Sequence, residues 1–92
     1  MVYLTVVFTA KDGKKDELTN MLVGGAEGAR KNKDCKSAKL LVNFENNEVI
    51  LFEEWTSQEA HKAHVDSMPK EALAAFDPVM EGKVSFNYFN KI

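Results

Sequence analysis

The chain holds one cysteine, one tryptophan and two histidines in 92 residues. Cys35 has no second thiol to pair with, so no internal disulfide can form. A reducing, cytoplasmic home is expected. No base stands near Cys35 in sequence, so it reads as a small hydrophobe or an exposed thiol rather than a nucleophile. Two histidines leave a zinc site short of a third imidazole, and no glycine-rich fingerprint for a dinucleotide occurs. No apolar run approaches the ~18 residues of a membrane span, and no signal peptide precedes the first strand. No membrane partner is therefore expected. The net charge of −2 offers nothing to a phosphate backbone, which excludes nucleic acid as a partner. Repeats, linkers and low-complexity tracts are absent as well.

What remains is a globular composition, 45% apolar and 28% charged. Residues 1–92 make a single domain. A chain this short buries only about 60–65% of its surface on folding.

Val2 to Ala10 is β-branched and aromatic and predicts a strand. Lys11-Asp12-Gly13 is a turn. From Lys14 to about Lys31, Leu18, Met21, Leu22, Ala26 and Ala29 recur at helical spacing. Gly24, Gly25 and Gly28 weaken this helix by about 1 kcal/mol each relative to Ala, so it frays there or something packs closely against it. Ala38 to Phe44 is a second strand. Glu45-Asn46-Asn47 predicts a hairpin turn, because Asn tolerates left-handed geometry. Glu48 to Thr56 is a third strand. Thr56 with Glu59 forms a capping box that starts a helix at Ser57. Ser67 and Pro69 restart a helical segment to about Phe76, which Asp77-Pro78 interrupts. Lys83 to Asn90 is a fourth strand.

The order βαββαβ predicts an α+β, ferredoxin-like sandwich with a four-stranded antiparallel sheet and helices on one face. Strand three sends Val49, Leu51, Glu53 and Trp55 to one side, and Ile50, Phe52 and Glu54 to the other. Strand two sets Leu40 and Val42 against Leu41. Both faces are substantially apolar, yet the helices cover only one. A second copy of the chain is the simplest cover, which predicts a homodimer packed sheet to sheet.

The run Phe52-Glu53-Glu54-Trp55-Thr56-Ser57-Gln58-Glu59-Ala60, followed by His64 and Ser67, resembles the antibiotic biosynthesis monooxygenase (ABM) family. That family shows a Glu-x-Trp strand end, a Ser/Asp-x-Glu-Ala helix start and a His on the helix. The Lys11-Asp12-Gly13 strand end and the Cys35 turn agree in outline. The resemblance implies a dimeric α+β barrel. Its members include cofactor-free oxygenases of anthrones and quinols, haem-degrading enzymes and a signal-molecule isomerase. Haem degraders carry an Asn, a Trp and a His where this chain has Val6, His64 and Ala74. No haem is therefore expected, nor any other cofactor. Anthrone oxygenases carry an Asn, a Tyr and an Arg where this chain has Leu51, His61 and Ala75, so only Trp55 matches.

A cofactor-free oxygenase needs a dry pocket, a base near working pH and donors for developing oxyanions. An unperturbed imidazole has a pKa of about 6.5, which suits the base role. His64 is the candidate, since Ala60 one turn earlier should share its sheet-facing side. Glu53 is the second catalytic candidate. It can orient His64, cap a helix end or pair with a lysine. Trp55 serves either as core packing or as a flat wall for an aromatic substrate. His61 is expected at a solvated pocket rim. Its i, i+3 spacing to His64 offers a metal too few ligands, so no metal is expected. Val6, Phe8, Leu51, Phe76 and Met80 are candidate pocket lining or plain core. Two functions follow. One is a small monooxygenase acting on an aromatic or quinol-like molecule. The other is a non-catalytic dimer, a small-ligand binder or stress-linked accessory domain. An isomerase would use the same pocket and the same base.

Overall fold

Alternation decides the sheet. Along Val2–Thr9 (β1) and Glu48–Trp55 (β3), every second side chain is buried. Leu4, Val49 and Trp55 are wholly inaccessible to solvent. The computed structural model describes residues 1–92. Its remaining elements are Lys15–Arg30 (α1), Cys35–Val42 (β2), Gln58–Asp66 (α2), Lys70–Ala74 (α3) and Ser85–Asn90 (β4). The strands form one antiparallel sheet in the order β2-β3-β1-β4, which is the ferredoxin-like arrangement the sequence predicts. No helix is long and apolar enough to cross a membrane.

α1 packs on the sheet through Leu18, Leu22, Ala26 and Ala29, a single apolar stripe. The helix neither frays at its glycines nor is approached closely there. It runs unbroken to Arg30, and a Cβ built at Gly24, Gly25 or Gly28 would meet nothing within 4 Å. α2 is fastened differently, with His61 as its one buried residue, and α3 buries none.

Four local expectations shift. β2 lies three residues earlier at its start and two at its end than the predicted strand, because Asn43 begins the hairpin loop rather than continuing the ladder. Asn43 Oδ1 accepts from Glu45 N at 2.8 Å, and Asn46 Oδ1 from Glu48 N at 2.9 Å. Lys15 Nζ donates to the carbonyls of Asn43 and Asn46, tying the loop to α1. No Asn there is left-handed, since the only positive φ angles are at Gly13 and Gly82. The side chains, not the backbone, make this turn. The cap of α2 is also one residue on. Ser57 Oγ accepts from Ala60 N at 3.1 Å, while Thr56 Oγ1 donates to Asp34 Oδ1 at 3.2 Å. A cap of this kind contributes about 1 kcal/mol. β4 is shorter than predicted and starts at Ser85.

The helix-free face carries Tyr3, Thr5 and Val7 of β1 in register with Phe52 and Ile50 of β3, Leu41 of β2 and Phe89 of β4. Tyr3 and Phe52 stack at 6.3 Å. Leu41 and Phe89 are half exposed.

Candidate active site

A cavity of about 550 Å³ lies between the sheet and the helices. Fourteen of its eighteen lining residues are hydrophobic. Those that are not are Gly25 of α1, Glu53 of β3, and His61 and His64 of α2. Volume and lining are those of a small-molecule site, an apolar hollow of ~300–1,000 Å³ with few convergent polar groups.

Each polar group is placed by its element. Glu53 follows the inward parity of β3 and is 4% exposed. Its Oε1 accepts from Trp55 Nε1 at 2.9 Å, two residues along the same strand. α2 begins directly after β3 and folds back over it. His61, His64, Val65 and Met68 all line the cavity, at the i, i+3, i+4, i+7 spacing of one helical face. His64 Nδ1 lies 3.5 Å from Asn32 Nδ2.

His61 departs from expectation. It is 3% exposed, not solvated at a rim. Its Nδ1 lies 2.9 Å from the Tyr88 hydroxyl, and its Nε2 lies 3.9 Å from Glu53 Oε1. Burial and the neighbouring His64 lower its pKa to about 4, so the ring is neutral at neutral pH. Burial also raises the Tyr88 pKa, which keeps that hydroxyl protonated. The Tyr88 hydroxyl and Nδ1 share one hydrogen bond, and Nε2 is turned towards Glu53. The pair is a carboxyl beside a neutral imidazole, not a salt bridge. Burial raises the Glu53 pKa, against the Trp55 hydrogen bond, His64 and Arg30, which lower it.

Glu53 thus stands against His61 and Trp55, where the sequence reading offered orienting His64, capping a helix end or pairing with a lysine. Trp55 is not on the cavity wall. It is wholly buried behind the wall, 5.3 Å from the His61 ring and 5.2 Å from that of His64, centroid to centroid. Val6, Phe8, Leu51, Phe76 and Met80 all border the cavity, and the rings of Phe8 and Phe76 stack at 5.9 Å. Cys35 does not border it. Its thiol donates to Ser37 O at 3.4 Å, and burial raises its pKa, which makes it a poor nucleophile. No group of three His, Cys, Asp or Glu residues is placed to hold a metal ion.

Tyr88 and Asn32 escape the sequence reading. Tyr88 faces the helices because it pairs with Leu4 of β1. Aromatics alternate onto both faces of β4, so parity alone could not choose between Tyr88 and Phe89. Asn32 sits in the loop after α1, where no periodicity applies.

A profile described as antibiotic biosynthesis monooxygenase matches residues 1–77. Comparison with curated proteins finds no match. Among solved structures, Rv0793 from Mycobacterium tuberculosis superposes with a TM-score of 0.84 at 20% identity, over 99% of this chain and 94% of that one. A structure described as an antibiotic biosynthesis monooxygenase gives 0.86 at 14% identity, over 100% and 99%. A conserved protein from Methanosarcina mazei gives 0.84 at 19%, over 99% and 92%. At these identities the likeness is one of fold.

Proposed function

Because the chain belongs to the antibiotic biosynthesis monooxygenase family, we propose that its cavity oxygenates an aromatic or quinol-like small molecule without a cofactor. One observation carries this reading: an apolar cavity of about 550 Å³ whose ionisable lining is confined to Glu53, His61 and His64. His64 is the base. It takes a proton from a phenol or an activated ring carbon. The resulting anion passes one electron to O₂, and the substrate radical combines with superoxide. Protonation of the peroxide and loss of water leave one oxygen atom on carbon as a carbonyl. The substrate supplies all the electrons, so no external reductant enters. Val6, Leu51 and Phe76 hold the ring. Neutral His61, in the tautomer that carries its proton on Nε2, donates to the developing oxyanion. Trp55 acts from behind the wall by fixing Glu53.

The chain is proposed to work as a homodimer in a reducing, cytoplasmic setting. The apolar helix-free face supports the first point and the unpaired Cys35 the second.

Oxygen uptake over a panel of anthrones and quinols tests the activity. Uptake should exceed the uncatalysed rate for at least one of them, with no metal or flavin added. His64→Ala should lower turnover by about 10²–10⁴-fold. Full activity in that variant would end the base assignment. No uptake across the panel would favour the ligand-binding or isomerase readings of the same cavity.

A further inference from the structure

A second hollow lies outside the cavity, a groove of about 300 Å³ between α2 and β4. His61, Val65 and Phe86 line both, so the partition between cavity and groove is one side chain thick. Lys62 and Asp66 border the groove alone and are exposed, so the groove faces solvent. On the cavity side, the large lining residues that reach solvent are Leu73 of α3 and Phe86 of β4, 44% and 48% exposed. The way between solvent and cavity therefore runs past β4. Little holds the partition shut there. Val65 and Phe86 present only apolar side chains. The one side-chain hydrogen bond between α2 and β4 joins His61 Nδ1 to the Tyr88 hydroxyl at 2.9 Å. It forms whichever ring nitrogen carries the proton, because a hydroxyl both donates and accepts. His61 is also the one buried residue of α2. The start of the helix is fixed, with Ser57 capping it and Thr56 bonded to Asp34.

We propose that the His61–Tyr88 hydrogen bond is the bolt of a gate between α2 and β4, through which apolar molecules pass from the outer groove into the cavity. The proposal rests on reading the cavity as a ligand site, and not on any reaction in it. With the bolt drawn, α2 swings about its capped start. His61 and Val65 then part from Phe86, and groove and cavity become one passage. Such a gate sets how fast a molecule comes and goes, not how tightly it is held. Easier opening speeds the inward and outward steps alike, and their ratio stays the same. Tyr88 suits this role because it borders the groove and not the cavity, so it contributes no contact to a molecule inside.

Stopped-flow fluorescence of the intact protein with N-phenyl-1-naphthylamine, a neutral apolar dye, tests this without any turnover. Tyr88→Phe keeps the ring and removes only the hydroxyl. In that variant, with its fold checked by circular dichroism, association and dissociation should both quicken by about three- to tenfold, the factor one ordinary hydrogen bond supplies, while the dissociation constant stays within about twofold of wild type. A hydroxyl that merely props the binding site would move the dissociation constant instead. Gly25→Leu shows where the dye sits. Gly25 borders the cavity and a Cβ there meets nothing within 4 Å, so leucine fills the hollow and cavity binding should be lost. Deuterium exchange gives a second reading: Tyr88→Phe should speed exchange along α2 and leave α1 as it was. Binding that Gly25→Leu abolishes, with rates that Tyr88→Phe leaves unchanged, overturns the gate alone. Binding that survives Gly25→Leu, or no saturable binding at all, overturns the cavity as a ligand site and the gate with it. A failed oxygenation assay touches neither.

Discussion

At the scale of single residues, His61 concentrates the costs of this site. Burial holds its ring down to about 4, against about 6.5 in an unfolded chain. Between those values the unfolded chain binds a proton that the native fold refuses. Stability therefore falls as pH drops through that window, and the penalty is fully developed below about 4. Glu53 acts in the opposite sense, because its raised pKa favours the native state at lower pH. His61→Gln isolates the histidine, since both proteins keep Glu53. From pH 7 to pH 4.5 the wild type should lose about 2.5 kcal/mol more than the variant in urea unfolding. Parallel losses would show that His61 does not titrate as its burial dictates.

At the scale of elements, legibility in the sequence follows the strength of the periodic signal. β3 is readable because eight residues alternate without exception, and Glu53 and Trp55 fall on the buried side as strand parity requires. α2 is not. Its nine residues contain few apolar side chains, so its phase is weakly fixed, and pairing Ala60 with His64 put the inward face about one residue off. The true inward line runs through His61, His64, Val65 and Met68, and that offset turned a buried His61 into an expected rim residue. The tail of β2 failed for another reason: Asn43 and Asn46 bond through their side chains, and no backbone pattern announces that. In α1 the glycines are legible but their purpose is not. Gly25 borders the cavity and a Cβ there meets nothing within 4 Å. Gly25→Ala should therefore stabilise the fold by up to about 1 kcal/mol. The melting temperature should rise by about 4–8 °C per kcal/mol. The same methyl narrows the cavity, so affinity for a bulky aromatic should drop. A variant that melts lower would mean that the helix needs glycine there for its own sake.

At the scale of the whole molecule, one sheet carries two unlike faces. The covered face holds the core and the cavity. The bare face sets Tyr3, Val7, Leu41, Ile50, Phe52 and Phe89 side by side, the apolar face that the proposed dimer would cover. Ile50→Lys should convert a dimer into monomer or aggregate in sedimentation at micromolar concentration. A wild-type protein that sediments as a monomer would remove the dimer from consideration. The helical layer is uneven too, with α1 anchored by four buried side chains, α2 by His61 alone and α3 by none. Local opening is easiest where few side chains are buried, so the amides of α2 and α3 should exchange with deuterium well before those of α1. A molecule bonded to His61 would then hold down the very helix that roofs it, slowing exchange along α2 in proportion to occupancy. On the proposed reading of the cavity, entry and release of a ligand would then be governed by how often α2 lifts.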